Sequence, residues 1–137
     1  GTGAVSTNVS QGAYQDTTLS ATITPTSASN KILITYNQSY TKDVNYQQSS
    51  IWLELWKSVG GSESMVKQIV IAAGWTSTYL AAHYFNNLYV PGQHLDSPAT
   101  TSAITYKMKF RGGYGGVGVG DGTLPAGSTM TLMEVTP

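Results

Sequence analysis

The segment from Ile104 to Phe110 reads Ile-Thr-Tyr-Lys-Met-Lys-Phe, an unbroken alternation of apolar and polar side chains. Successive side chains of an extended strand point to opposite faces. Ile104, Tyr106, Met108 and Phe110 therefore share one face, and Thr105, Lys107 and Lys109 the other. The same period of two recurs from Thr18 to Thr24, where Leu19, Ala21 and Ile23 oppose Thr18, Ser20, Thr22 and Thr24. It recurs again from Lys31 to Tyr40, where Ile32, Ile34 and Tyr36 alternate with Leu33, Thr35 and Asn37. A chain built from half-apolar strands must bury one face of each against another layer.

Three further runs extend the pattern. Thr129 to Val135 alternates less cleanly because Leu132 and Met133 are both apolar, and both faces are expected to be covered, as in a strand packed on a neighbouring subunit. Ile51 to Trp56 sets Ile51, Leu53 and Leu55 against Trp52, Glu54 and Trp56. Met65 to Ala73, rich in Val and Ile, reads as a buried strand. In Tyr79 to Val90 the first half, with Leu80, His83 and Tyr84, suits a helical turn, and Phe85 to Val90 suits a strand. Turn residues separate these runs: Pro25 to Asn30, a hairpin at Gly60-Gly61-Ser62, and a break bracketed by Pro91-Gly92 and Ser97-Pro98. Arg111 to Gly127 carries eight of the fifteen glycines and reads as a flexible hairpin tip, with a turn at Asp121-Gly122. The expectation is one all-β domain over residues 1–137, an antiparallel β-sandwich of the jelly-roll kind.

Charged residues are only 10% of the chain, against roughly 25% in an average soluble domain. Seven basic and seven acidic side chains cancel, and no Lys/Arg patch offers a polyanion a landing site. Nucleic acid is therefore not an expected partner. No basic stretch and no 18-residue apolar run points to membrane insertion. Neutral polar partners, sugars above all, suit this composition. Cysteine is absent, which excludes disulfides and thiolate metal sites. The opening Gly1-Thr2-Gly3 lacks an initiator Met, and the chain is expected to be a fragment of a longer protein.

Catalytic chemistry finds few handles. Glycoside hydrolysis needs two carboxylates across one cleft. The candidates are Asp16, Asp43, Glu54, Glu63, Asp96, Asp121 and Glu134, of which Glu54, between Trp52 and Trp56, has the most sugar-site-like setting. His83 is expected to be a packed residue and His94 a loop residue, and no Gly-x-Ser-x-Gly elbow is present. His94 and Asp96 could share a strand face, but two ligands fall short of a metal site. The glycine-rich stretch lacks the Gly-Lys-Ser/Thr ending of a phosphate loop. No cofactor, no metal and no enzymatic activity are expected. Asp96, just before Ser97-Pro98, is expected to close a local turn through backbone N–H groups, and Glu134 to make a polar contact at a subunit interface.

The aromatics are the better candidates. Nine Tyr and three Trp sit in a chain with little charge, and flat rings with a polar edge favour binding surfaces. Trp52 and Trp56 share one strand face, about 13–14 Å apart at standard rise. That face suits either burial against another subunit or a ligand platform. Tyr40, Asn45, Tyr46 and Gln47 are expected in a polar loop, and Tyr114 in the glycine loop.

Three blocks resemble a domain common in bacteriophage tail-fibre and virion structural proteins, including those of marine phages and cyanophages. They are Leu19-Ser20-Ala21-Thr22-Ile23-Thr24-Pro25-Thr26-Ser27-Ala28-Ser29-Asn30-Lys31-Ile32-Leu33, then Leu95-Asp96-Ser97-Pro98 with Thr100-Thr101-Ser102-Ala103-Ile104-Thr105-Tyr106-Lys107, and Gly127-Ser128-Thr129-Met130-Thr131-Leu132-Met133-Glu134-Val135. The resemblance implies a C-terminal β-sandwich that assembles as a homotrimer at the distal end of a virion fibre. It implies attachment to a host cell-surface glycan or outer-membrane receptor, and it supplies no contact residues. The stretch from Tyr40 to Gln93 departs most from the family, which is where receptor-specific variation is expected. The competing expectations are a structural trimerisation or capping domain without receptor contact, and a jelly-roll lectin or carbohydrate-binding module.

Overall fold

The computed structural model describes residues 14–43, 48–75, 84–113 and 127–137. Seven strands run in chain order: β1 (Gln15–Ile23), β2 (Lys31–Asp43), β3 (Gln48–Val59), β4 (Ser62–Trp75), β5 (Tyr84–Asp96), β6 (Ile104–Gly113) and β7 (Thr129–Val135). All pairings are antiparallel. Four strands form one sheet in the order β1-β6-β3-β4, and three form a second in the order β5-β2-β7. The sandwich-like pair of sheets agrees with the all-β expectation.

Alternation does the sorting. Ile104, Tyr106, Met108 and Phe110 of β6, with Leu53 and Leu55 of β3 and Leu19 of β1, face Ile32, Ile34 and Tyr36 of β2 across one core. Each fully buried side chain of this size contributes about 1.5–3 kcal/mol. In β7 the even positions Met130 and Leu132 pack on that core, while Met133 stays more than half exposed. The strand expected to bury both faces therefore alternates after all, with one face open in the isolated chain.

The turns follow residue chemistry. Gly60 and Gly61 both take positive φ, 57° and 87°, and close a two-residue hairpin between the paired residues Val59 and Ser62. Such a turn needs left-handed backbone at both central positions, which glycine adopts without strain. Between Asp16 and Ser20 the register with β6 shifts, and the Thr17 hydroxyl there accepts the Leu19 N–H at 3.0 Å.

Two expectations for β5 change. Pro91-Gly92 does not break the chain, because β5 continues through both residues to Asp96. β5 lies at a sheet edge, where a proline without an N–H is tolerated. Gly92 sits opposite Tyr36, and a Cβ built on it would lie 2.5 Å from the Tyr36 ring carbon Cζ. The buried Tyr36 ring occupies the space a side chain would need. His94 is a strand residue opposite Ile34 and not a loop residue. The helical turn expected around Leu80 and His83 lies outside the described residues.

Substitution Gly92→Ala forces Tyr36 off its position in a closed core. It should lower unfolding free energy in urea by about 1–3 kcal/mol, the usual cost of overpacking, while Gly60→Asn, at the first hairpin position where asparagine adopts left-handed backbone, should cost much less.

Candidate functional site

The outer face of the four-stranded sheet carries a continuous run of rings and cations. Trp52, Glu54 and Trp56 of β3 stand on this face because Leu53 and Leu55 turn inward. Register places Arg111 opposite Trp52, Lys109 opposite Glu54 and Lys107 opposite Trp56. The Arg111 guanidinium lies 4.5 Å from the Trp52 ring centroid and 4.8 Å from that of Tyr14. Tyr14 and Trp56 meet at 5.8 Å with planes tilted by 58°. The Lys109 ammonium sits 4.6 Å from the Trp56 ring. Each cation–ring contact contributes about 0.5–1 kcal/mol when exposed and more when dehydrated.

Glu54 holds this run from beneath. It is fully buried. One carboxylate oxygen accepts the Tyr14 hydroxyl at 2.5 Å, and the other accepts Trp56 Nε1–H at 2.8 Å. Burial, this hydrogen bond and the negative charge of Glu54 raise the Tyr14 phenol above its ordinary pKa. Both rings are thereby fixed in orientation, while Trp52 and Trp56 remain half-buried and Tyr14 is exposed. Arg111 Nε finds no hydrogen-bond partner among the described residues, so ring contacts hold the guanidinium.

Beside the rings the charges neutralise one another. Lys107 pairs with Asp16 at 3.0 Å and with Glu63. Lys109 pairs with Glu63 at 2.5 Å and with Asp16 at 3.4 Å. Hydrogen bonds from Lys107 and Lys109 hold the Glu63 carboxyl below its usual range. The Glu63 hydrogen bond, then Asp16, raises Lys107 against the opposing effect of burial. Individually such exposed pairs stabilise little; here they pin both lysines over the sheet.

Two acids outside this face take structural posts. Asp96 reaches across to the other sheet, accepting Lys57 Nζ at 2.8 Å and the Tyr106 hydroxyl at 2.7 Å. This replaces the expected local turn as the principal use of its carboxylate. Glu134 accepts the Thr26 N–H at 2.6 Å, the Thr26 hydroxyl at 2.9 Å and Asn30 Nδ2 at 2.7 Å. It therefore ties the β1–β2 turn to β7 within one chain. The register puts His94 on the same face as Asp96, and among the described residues no three His or acidic side chains gather to hold a metal ion.

Of the sequence candidates, Trp52 and Trp56 come together through Arg111 and Tyr14. Tyr40 belongs to β2, opposite Leu88, and not to a loop. Asn45, Tyr46, Gln47 and Tyr114 lie outside the described residues, as does the stretch from Tyr114 to Ala126 within the glycine-rich segment. Sequence reasoning missed Tyr14, Lys109 and Arg111 as partners of the tryptophans. The signal was present for two of them: the outward parity of Lys107 and Lys109 continues to Arg111. Tyr14 precedes the first clear alternation and carried no signal. Comparison with protein-family models, curated proteins and solved structures finds no significant match to this chain.

Hydrogen bonds from Asn30 and Thr26 hold Glu134 below its usual pKa, with the Asn30 amide the largest cause. A carboxylate with a depressed folded pKa gives stability that is complete above its unfolded value, near 4.3, and lost as pH falls through the folded value. Glu63 acts in the same direction. The melting temperature should thus fall on acidification below about pH 4.3. Glu134→Gln should lower it at neutral pH and flatten the acid slope, as read by circular dichroism.

Proposed function

We propose that this chain is the attachment domain at the distal end of a bacteriophage tail fibre. In this reading it is a jelly-roll sandwich that forms a homotrimer and binds host-surface carbohydrate without chemical turnover. The observation that carries the reading is the row Trp52, Arg111, Tyr14, Trp56 on one outer sheet face, oriented in advance by Glu54 and Lys109. Trp, Tyr and Arg are the side chains that dominate recognition surfaces, and rings fixed before binding cost little entropy on contact. Aromatic faces stack on the apolar faces of sugar rings, and their polar rims meet hydroxyls. The near neutrality of the chain suits an uncharged partner. The three blocks that resemble phage fibre domains supply the virion setting.

A second reading, a trimerisation or capping domain without receptor contact, draws on a different face. Leu95, Leu33 and Met133 stand in register across the outer side of the three-stranded sheet. Leu95 and Met133 are about half exposed. Such a row suits contact between protein subunits.

A fluorescent fusion of the chain should label the bacterium infected by its phage and block phage adsorption at saturating protein. Trp52→Ala and Trp56→Ala should each weaken labelling by about tenfold or more, the range of a ring at the centre of a contact. Trimers by light scattering with neither labelling nor competition would select the structural reading.

A further inference from the structure

We propose that a groove on the outer face of the three-stranded sheet is a second ligand site, built for a neutral polyhydroxylated molecule such as an oligosaccharide segment of a surface glycan. The proposal rests on the attachment reading and adds a separate place of contact, on the opposite side of the sandwich from Trp52 and Trp56. The groove is shallow and open, has a volume of about 420 Å³ and is lined by Thr35, Tyr36, Asn37, Pro91, Gly92, Gln93 and Thr129. The Tyr36 side chain is buried in the core, so Tyr36 offers the groove its backbone. The side chains that face outward are Thr35, Asn37, Gln93 and Thr129, all uncharged and all able to hydrogen bond.

Register explains how they meet. Asn37 lies opposite Pro91 on one side and Thr129 on the other, and Thr35 lies opposite Gln93 and Thr131. Two successive rows of one face therefore present amides and hydroxyls with Pro91 as an apolar wall. Asn37 Oδ1 is buried at this face and has no hydrogen-bond partner among the described residues. Buried polar atoms in native proteins are nearly always paired, so this acceptor beneath the groove floor calls for a donor that the described residues do not supply. Tyr89 stands on the same face, two residues before Pro91, with half its surface exposed. Its hydroxyl lies 3.9 Å from where a Cβ on Gly127 would sit, which brings the ring to the Thr129 end of the groove.

Chemistry narrows the occupant. A charged ligand would find no counter-charge in these rows, in contrast to the lysine- and carboxylate-rich face of the other sheet. A purely apolar partner would leave Asn37 and Gln93 without donors or acceptors, which costs binding energy. A sugar supplies hydroxyls for the amides and an apolar ring face for Tyr89 and Pro91.

The test is amide NMR of the ¹⁵N-labelled chain with maltotriose, cellotriose and chitotriose as probes, each at about 10 mM because few-contact sites bind in the millimolar range. At least one probe should shift the amides of Thr35, Asn37, Gln93 and Thr129. Asn37→Leu and Gln93→Ala should each weaken that binding by about tenfold, with the remaining spectrum preserved. No shift with any probe, shifts only elsewhere, or shifts unchanged by both variants would overturn the site. Host-cell labelling separates this from the attachment reading: labelling by wild type and both variants alike, with no probe shift, removes the groove and keeps attachment. Probe shifts in the groove with no labelling by wild type keep the groove and remove attachment.

Discussion

A phenol carried into a protein core needs an acceptor there, and the way the two sheets sit together depends on how Tyr106 finds one. Tyr106 is fully buried on the inner face of β6. Its hydroxyl reaches Asp96 at the end of β5, in the opposite sheet, at 2.7 Å. Asp96 is itself neutralised by Lys57 of β3 at 2.8 Å. Burial and the neighbouring carboxylate push the Tyr106 pKa well above its ordinary value, so the phenol stays protonated as a donor. Hydrophobic packing alone is non-directional. A buried hydrogen bond to a charged group contributes about 1.5–3 kcal/mol and fixes which residues face each other. This tie joins β3 and β6 to β5, while Glu134 does a similar service for β1, β2 and β7 at the turn.

Once β6 is fixed by its inward residues, its outward residues have no freedom of placement. Lys107, Lys109 and Arg111 must project over the far side of the same sheet, where register sets them against Trp56, Glu54 and Trp52. The core and the ring-and-cation face are thus set by two parities of one strand. The core parity secures the sandwich, and the outer parity brings cations over two tryptophans and the buried Glu54 of β3. The three-stranded sheet shows the same division in another chemistry. Its inward parity is Ile32, Ile34 and Tyr36, and its outward parity runs from Lys31 through Leu33 to the uncharged polar Thr35 and Asn37. The sandwich therefore offers one face of rings and paired ions, and one where amides and hydroxyls adjoin the apolar row Leu95, Leu33 and Met133.

Much of this was legible from alternation. The inward sets of β1, β2, β3 and β6 follow the period of two, because a strand packed on one side leaves no other arrangement. The Gly60-Gly61 hairpin was legible for the same reason, since few residues accept positive φ twice in succession. Local cues failed where distant partners decided the outcome. Pro91-Gly92 looks like a break, yet the edge position of β5 tolerates the proline and the Tyr36 ring requires the glycine. Asp96 beside Ser97-Pro98 looks like a turn carboxylate, but Tyr106 and Lys57 recruit it from the other sheet. Glu134 could be placed only once the Thr26–Asn30 turn was known to fold beside it. At the candidate site the tryptophans and Glu54 were visible as an i, i+2 set, whereas their partners come from β6 and from Tyr14, just before β1.

The most direct test of the cross-sheet tie is a double-mutant cycle on Tyr106→Phe and Asp96→Asn, measured by urea unfolding. Both substitutions keep shape and packing, so the cycle isolates the hydrogen bond and its charge. The account predicts a coupling energy of about 1–3 kcal/mol, as for residues sharing one buried network. Losses that simply add, within about 0.5 kcal/mol, would contradict it and leave the sheets held by apolar packing alone.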